Sequence, residues 1–239
     1  DGLTFSLIYS PEYQDVYFKN FNKIFTTIQD WETKSTRNVP DRNSLSIRNN
    51  RIFEENFNAI ATYQKNLGPH NFSVLGGYEF IKSNFSTFFA SRNDFIIQEF
   101  EQLDAGANEN ALNGGNATHS ALTSYFSRVN YSFRDKYLLE ANVRRDASSR
   151  FAEENRVSVF PSFSAGWIIS EEAFFSPISP LISVFKIRAS WGQLGNQQIG
   201  SDFPYTSNIS IGSSNYLFGN TLTTGAAQNV LANRNIQWE

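Results

Sequence analysis

Cysteine is absent from the 239 residues, and so is methionine. Without a thiol there is no disulfide framework, thiolate metal site or cysteine nucleophile to look for. Histidine is nearly absent. His70 and His119 sit apart in polar links, away from carboxylates at ligand spacing, and read as exposed loop residues. No metal or cofactor is expected. Charged residues make up 18% of the chain, below the roughly 25% of an ordinary soluble domain. The net charge of −3 gives no basis for a nucleic-acid partner. No run approaches the ~20 apolar residues of a spanning helix. The opening Asp1-Gly2-Leu3 lacks the basic and apolar regions of a signal peptide, which reads as an internal piece of a longer protein. Paired carboxylates occur at Glu54-Glu55, Glu153-Glu154 and Glu171-Glu172. Adjacent strand residues face opposite sides, so Glu54 and Glu55 cannot form an acid/base pair. All three pairs read as solvated rim charge, and no catalytic residue is expected.

What is plentiful is aromatic. Phe, Tyr and Trp supply 15% of the chain, with 23 Phe alone. These rings take part in a period-2 pattern. Tyr125, Val129, Tyr131 and Phe133 alternate with Arg128, Asn130 and Ser132. After the polar link Arg134-Asp135-Lys136, Tyr137, Leu139, Ala141 and Val143 alternate with Glu140, Asn142 and Arg144. A link that short predicts a tight hairpin. Val157 to Ile169 and Phe185 to Trp191 continue the pattern downstream, while Phe53 to Tyr63 and Phe72 to Phe80 carry it upstream. A strand over Leu3 to Tyr9 is less marked. About eight antiparallel strands result. A helical turn is expected only near Glu171 to Phe175, after Ser170 as N-cap.

Short links near 66–70, 134–136 and 170–184 alternate with longer, Asn/Gly/Ser-rich ones near 19–43, 92–120, 146–156 and 193–235. That asymmetry is the habit of barrels with short periplasmic turns and longer external loops. Such a barrel also accommodates the mean hydropathy of −0.39, because only alternate residues meet lipid. Arg128, Arg144, Lys186 and Arg188 fix the faces. Against lipid each would cost roughly 2–4 kcal/mol near the midplane, so they point into a lumen. There they either contact substrate or a plug, or form a ladder of ion pairs with Glu140 as one partner. The aromatic clusters at Tyr9 to Phe21 and Phe85 to Phe89 read as an interfacial girdle or as sugar-stacking platforms. The Asn/Gly-rich loop 104–118 is a candidate ligand contact. Alternation by itself leaves a soluble, glycan-binding β-sandwich open as the alternative.

A block over residues 121–205 resembles the SusC/RagA-like TonB-dependent outer-membrane transporters. The resemblance is carried by Tyr131-Ser-Phe-Arg-Asp-Lys-Tyr-Leu-Leu-Glu-Ala-Asn-Val-Arg-Arg-Asp146, then Ser148-Ser-Arg-Phe151 and Asn155-Arg156. Phe160-Pro-Ser-Phe-Ser-Ala-Gly-Trp167, Ile169-Ser-Glu-Glu-Ala-Phe174, Lys186-Ile-Arg-Ala-Ser-Trp-Gly-Gln-Leu-Gly-Asn196 and Pro204-Tyr205 follow in order. Ala147 stands where the family often has Gly. The resemblance implies an all-β fold, with residues 1–239 forming the central part of a larger, 22-stranded transmembrane barrel. It implies a bacterial outer-membrane location and import of oligosaccharides or peptides. The implied partners are a SusD-like surface lipoprotein and TonB acting through a plug domain that is not recognisable here.

Overall fold

A computed structural model describes residues 2–212 and 216–239, whose regular elements are all β-strands apart from four short 3-10 turns. In chain order the strands are β1 (Gly2–Asn22), β2 (Phe25–Asp30), β3 (Ser35–Val39), β4 (Ser44–Leu67), β5 (His70–Asn93), β6 (Leu112–Phe133) and β7 (Tyr137–Ser148). They continue as β8 (Val157–Ile168), β9 (Lys186–Gly192), β10 (Asn208–Ile211), β11 (Tyr216–Phe218), β12 (Thr221–Thr223) and β13 (Ala226–Val230). One seven-stranded sheet runs β1-β4-β5-β6-β7-β8-β9, so seven of the roughly eight expected strands lie side by side. The rest form two-stranded ribbons, β2-β3, β10-β13 and β11-β12. The expected loop over 193–235, of which 213–215 lie outside the described residues, carries the last two ribbons. The described chain falls into two compact units. One comprises the residues up to Ser10, Glu55–Lys82 and Ser120–Glu239; the other comprises Pro11–Glu54 and Ser83–His119.

Several strands outrun their sequence signal. β1 covers 21 residues where only Leu3 to Tyr9 was expected, and β4 and β5 cover 24 each. A bilayer crossing needs roughly 9–11 tilted residues, so only part of each long strand can lie in hydrocarbon. Residues 112–118, expected in a ligand-contacting loop, belong instead to β6. Past the crossing, a strand need not alternate apolar with polar, because both faces meet water there. Hydrophobic period therefore under-reports strand length.

Register fixes which residues share a face. In β6 and β7, Arg128 is opposite Asn142 and Val129 is opposite Ala141. Between β7 and β8, Tyr137 meets Trp167 and Ala141 meets Phe163. Between β8 and β9, Phe163 meets Trp191 and Gly166 meets Arg188. The apolar set lies on one face, where it is open to the surroundings. Leu139, Phe163 and Trp191 are each more than half exposed, whereas Ser124 and Ser148 on the polar face are fully buried. A sandwich would cover that apolar face with a second sheet, and none does so among the described residues. The buried hydrophobics are instead Leu45, Phe95, Phe151, Ala152, Ile169 and Phe175, at strand ends and in links. This is a transmembrane barrel wall with its polarity inverted.

The exposed apolar face has a measurable height. Eight residue steps separate Tyr137 from Arg145, which shares its face and sits opposite Tyr125 and Val159. At about 3.4 Å per step and a tilt of roughly 40°, that span rises about 21 Å, close to the ~25 Å apolar band of such barrels. Arg145 marks one margin, where its stem can lie in lipid and its head in water.

The link 169–185 departs from expectation in detail. Two 3-10 turns, Ile169–Glu171 and Ala173–Phe175, replace one helical turn, and Ser170 lies inside the first of them without capping. Ile169 leaves the lipid-facing series and is buried. The backbone turns there because Ser170 N–H donates to the Phe185 carbonyl, closing the link.

The outer edge of the Phe126 ring sits over Gly77 of β5, where any Cβ would overlap it, and Phe160 covers Gly195 in the same way. Gly77→Val is therefore expected to lower stability by about 1–3 kcal/mol in urea titrations of the folded barrel in micelles. Most of that loss should vanish when Phe126 is Ala. Equal losses in both backgrounds would show that the ring does not use the glycine's space.

Candidate lumen-facing site

The four cations expected in the lumen, Arg128, Arg144, Lys186 and Arg188, all lie on the polar face, as their register requires. The structure divides them into two kinds. Arg144 is a hub that ties three strands. Its guanidinium meets Glu79 of β5 at 2.5 Å and Asp146 of β7 at 2.8 Å. It also donates to Ser124 Oγ of β6 at 2.8 Å and lies 5.7 Å from the centroid of Phe126. Arg128 donates to Asn142 Oδ1 at 2.7 Å; Asn142 in turn donates to Glu140 at 2.9 Å and to Ser162 at 3.2 Å. Glu140 is thus held by an amide and does not pair with an arginine. Asp146 and Glu79 serve the ion pair instead, which sequence spacing missed because Glu79 is 65 residues away from Arg144.

Lys186 and Arg188 differ. Both are exposed on β9, and neither has a polar partner among the described residues. With Gln64, Asn71, Asn130, Ser132, Glu140 and Ser164 they line a shallow hollow on the polar face. The hollow carries amide and hydroxyl groups and two uncommitted cations, which suits hydrated, hydrogen-bonding or acidic ligands. No cluster that could hold a metal is found among the described residues.

The histidines are not loop residues. His70 opens β5, half-buried, with Nδ1 2.9 Å from Tyr131 Oη, and His119 lies within β6. The carboxylate pairs are not merely solvated either. Glu55 accepts from Tyr9 Oη at 3.0 Å, and Glu154 pairs with Arg234 at 3.1 Å. Glu172 accepts the Tyr137 hydroxyl at 2.8 Å and the Trp167 indole N–H at 3.2 Å, and Lys136 lies 3.4 Å away. Those donors, Tyr137 first, hold the Glu172 carboxyl below the usual glutamate range.

Beyond the long-link ends of β7 and β8, side chains gather the links into one cluster. Phe151 is fully buried beneath Trp238, 5.1 Å between centroids, and Trp238 also meets Phe160. Arg150 pairs with Asp202 at 3.1 Å and donates to Gln198. Tyr205 Oη donates to the Ser149 carbonyl at 3.1 Å. Arg150, Phe151 and Tyr205, which stood out in the sequence, are fasteners of this cluster.

Comparison with known proteins gives the same architecture. The chain is 35% identical over 188 residues to the TonB-dependent receptor SusC of Bacteroides thetaiotaomicron, a match covering 77% of the chain and 18% of that receptor. It is 33% identical over 242 residues to a TonB-dependent receptor of Formosa agariphila, covering all of the chain and 22% of the relative. The chain thus spans about a fifth of the curated relatives it matches. No family model matches it. The RagAB peptide transporter superposes with a TM-score of 0.81 at 22% identity over 99% of this chain and 25% of that one. The closed-closed state of the RagAB peptide importer gives 0.83 at 21% identity.

Two predictions follow from the geometry. Arg144→Gln strands the Asp146 and Glu79 carboxylates, and is expected to cost roughly 1–3 kcal/mol. Arg188→Gln, with no partner to strand, should fall within about 0.5 kcal/mol of the parent. Urea titration of the two variants side by side checks the contrast, and equal losses would contradict it. For Glu172, the folded carboxyl titrates below its unfolded value, so its contacts stabilise above the unfolded pKa of roughly 4.3 and are lost as pH falls through the lower folded value. The chain has four tryptophans, so the probe is a variant with Trp31, Trp191 and Trp238 changed to Phe. There the Trp167 fluorescence should change in that acid window and stay flat when Glu172→Gln is added.

Proposed function

We propose that this chain, a barrel-wall segment of a SusC-like TonB-dependent transporter, forms part of the conduit through which an outer-membrane importer takes up oligosaccharides or peptides. The observation that carries the reading is the inverted polarity: an exposed apolar face, close in height to the apolar band of outer-membrane barrels, backs onto a hydrogen-bonded polar face. In that setting Arg144 and Arg128 rigidify the wall. Lys186 and Arg188 remain available to cargo or to a plug. The wall itself performs no bond chemistry; it contributes a fixed shape, a hydrated lining and the fastened links at its outer mouth.

Partnership with a SusD-like lipoprotein over the mouth and energy supplied by TonB complete the reading. Support comes from the relatives, which are named TonB-dependent receptors, and from the fold shared with the RagAB peptide transporter. Disrupting the gene should abolish growth on the cognate oligosaccharide or peptide mixture while leaving growth on monomers intact. Unchanged growth on every polymer tried would refute import.

The two faces can be tested separately, because the chain contains no cysteine. Single cysteines at Asn142 and Ser164 are expected to react with a membrane-impermeant maleimide in permeabilised outer membranes. Cysteines at Leu139 and Phe163 should react only with a lipid-soluble one. The reverse pattern would overturn the assignment of faces.

A further inference from the structure

The apolar face ends, at the short-turn side, in a continuous row of rings. His70 lies 4.9 Å from Phe133, which lies 6.3 Å from Tyr137, itself stacked 6.2 Å from Trp167. Rings of this kind mark headgroup depth. The hairpin turn beside them sorts its charges by face. Asp135 accepts from Asn71 and Ser132, both on the polar face, at 2.9 and 3.2 Å. Lys136 is taken by Glu172. Arg134 goes the other way: its guanidinium lies 5.2 Å over the Phe133 ring, on the lipid side, with no carboxylate partner among the described residues. The positive φ of Arg134 and Asp135 closes the tight turn that carries them. His70 gives one ring nitrogen to Tyr131 Oη and leaves the other without a partner among the described residues.

A fixed cation and an uncommitted imidazole nitrogen, over rings at the depth of lipid phosphates, make a recognisable combination. From it we infer that Arg134, with His70 and the Phe133 ring, docks the phosphate of an anionic phospholipid in the leaflet around the short-turn end. This rests on the barrel reading above. The occupant follows from charge: the guanidinium lacks a protein counter-ion on its own face, and a lipid of net negative charge supplies one without an ammonium group competing for it. The acyl chains of the same lipid continue along the exposed band through Leu139 and Phe163, which a soluble anion cannot do. The site would orient the wall at a fixed depth, since the turn cannot rise or sink without losing the phosphate.

The test uses the intact protein in detergent, with native mass spectrometry of retained lipid after exchange into equal phosphatidylglycerol and phosphatidylethanolamine. The parent should retain phosphatidylglycerol preferentially. Arg134→Gln should lower that preference about fivefold, the worth of one cation near a membrane surface, while Arg134→Lys keeps most of it. Arg37→Gln, a cation outside the cluster, should leave it unchanged. Undiminished preference in Arg134→Gln would overturn the site. Displacement of the lipid by millimolar inorganic phosphate would also overturn it, because it would show binding of the ion alone. If the protein retains no lipid of either kind and stays monodisperse without detergent, the barrel reading itself fails, an outcome distinct from equal retention of both lipids.

Discussion

In hydrocarbon a backbone N–H or C=O has no water to turn to, and each one left unpaired costs several kcal/mol. The long in-register ladders between β6, β7, β8 and β9 answer that constraint directly. Once the ladder is imposed, side chains must alternate, and the face meeting lipid must be apolar while the other need not be. The exposed Leu139, Phe163 and Trp191 are therefore stable where they stand, although the same exposure on a soluble sheet would mark an aggregation surface. The free sides of β1 and β9 leave the same demand unmet, so these seven strands work as wall within a closed ring.

The polar face shows how such a wall is kept stiff without a hydrophobic core. Apolar packing cannot drive strands together when lipid is as apolar as the side chains. Cross-strand polar networks can. Arg144 spans three strands through Glu79, Asp146 and Ser124, and the Arg128-Asn142-Ser162 chain spans β6 to β8. The part-buried positions of Arg144, Asn142 and their carboxylate and hydroxyl partners strengthen those interactions and also make it costly to break one partner alone. The glycine beneath Phe126 serves the same end by a different route, letting an aromatic ring come close against the neighbouring strand.

The sequence made the crossing segments readable because lipid enforces period 2 there. The assignment of Arg128, Arg144, Lys186 and Arg188 to the polar face needed only parity and a desolvation cost. What parity cannot supply is register, and the partners depend on register. Glu79 was invisible as the Arg144 counter-ion, and Glu140 was an obvious but incorrect choice. The outer halves of β1, β4 and β5 were hidden for the reason given above. The aromatic row at the short-turn end was missed because its members, from His70 to Trp167, are scattered across four strands and meet only when these pair. The sequence-local clusters at Tyr9 to Phe21 and Phe85 to Phe89 drew attention instead.

The motifs that carry the family resemblance do two kinds of structural work. Tyr131 to Asp146 and Phe160 to Trp167 encode the alternating wall and its turn. Arg150, Phe151 and Tyr205 clasp the links beyond β7 and β8 into one body. A clasp of this kind fixes where the neighbouring loops emerge without specifying what they bind. On the proposed import role, selection is left to groups the framework leaves unspent, such as Lys186 and Arg188 on the polar face, and to loops whose sequence the wall does not constrain. On that role the same wall suits chemically different cargo, because the residues that hold it together are already committed to each other.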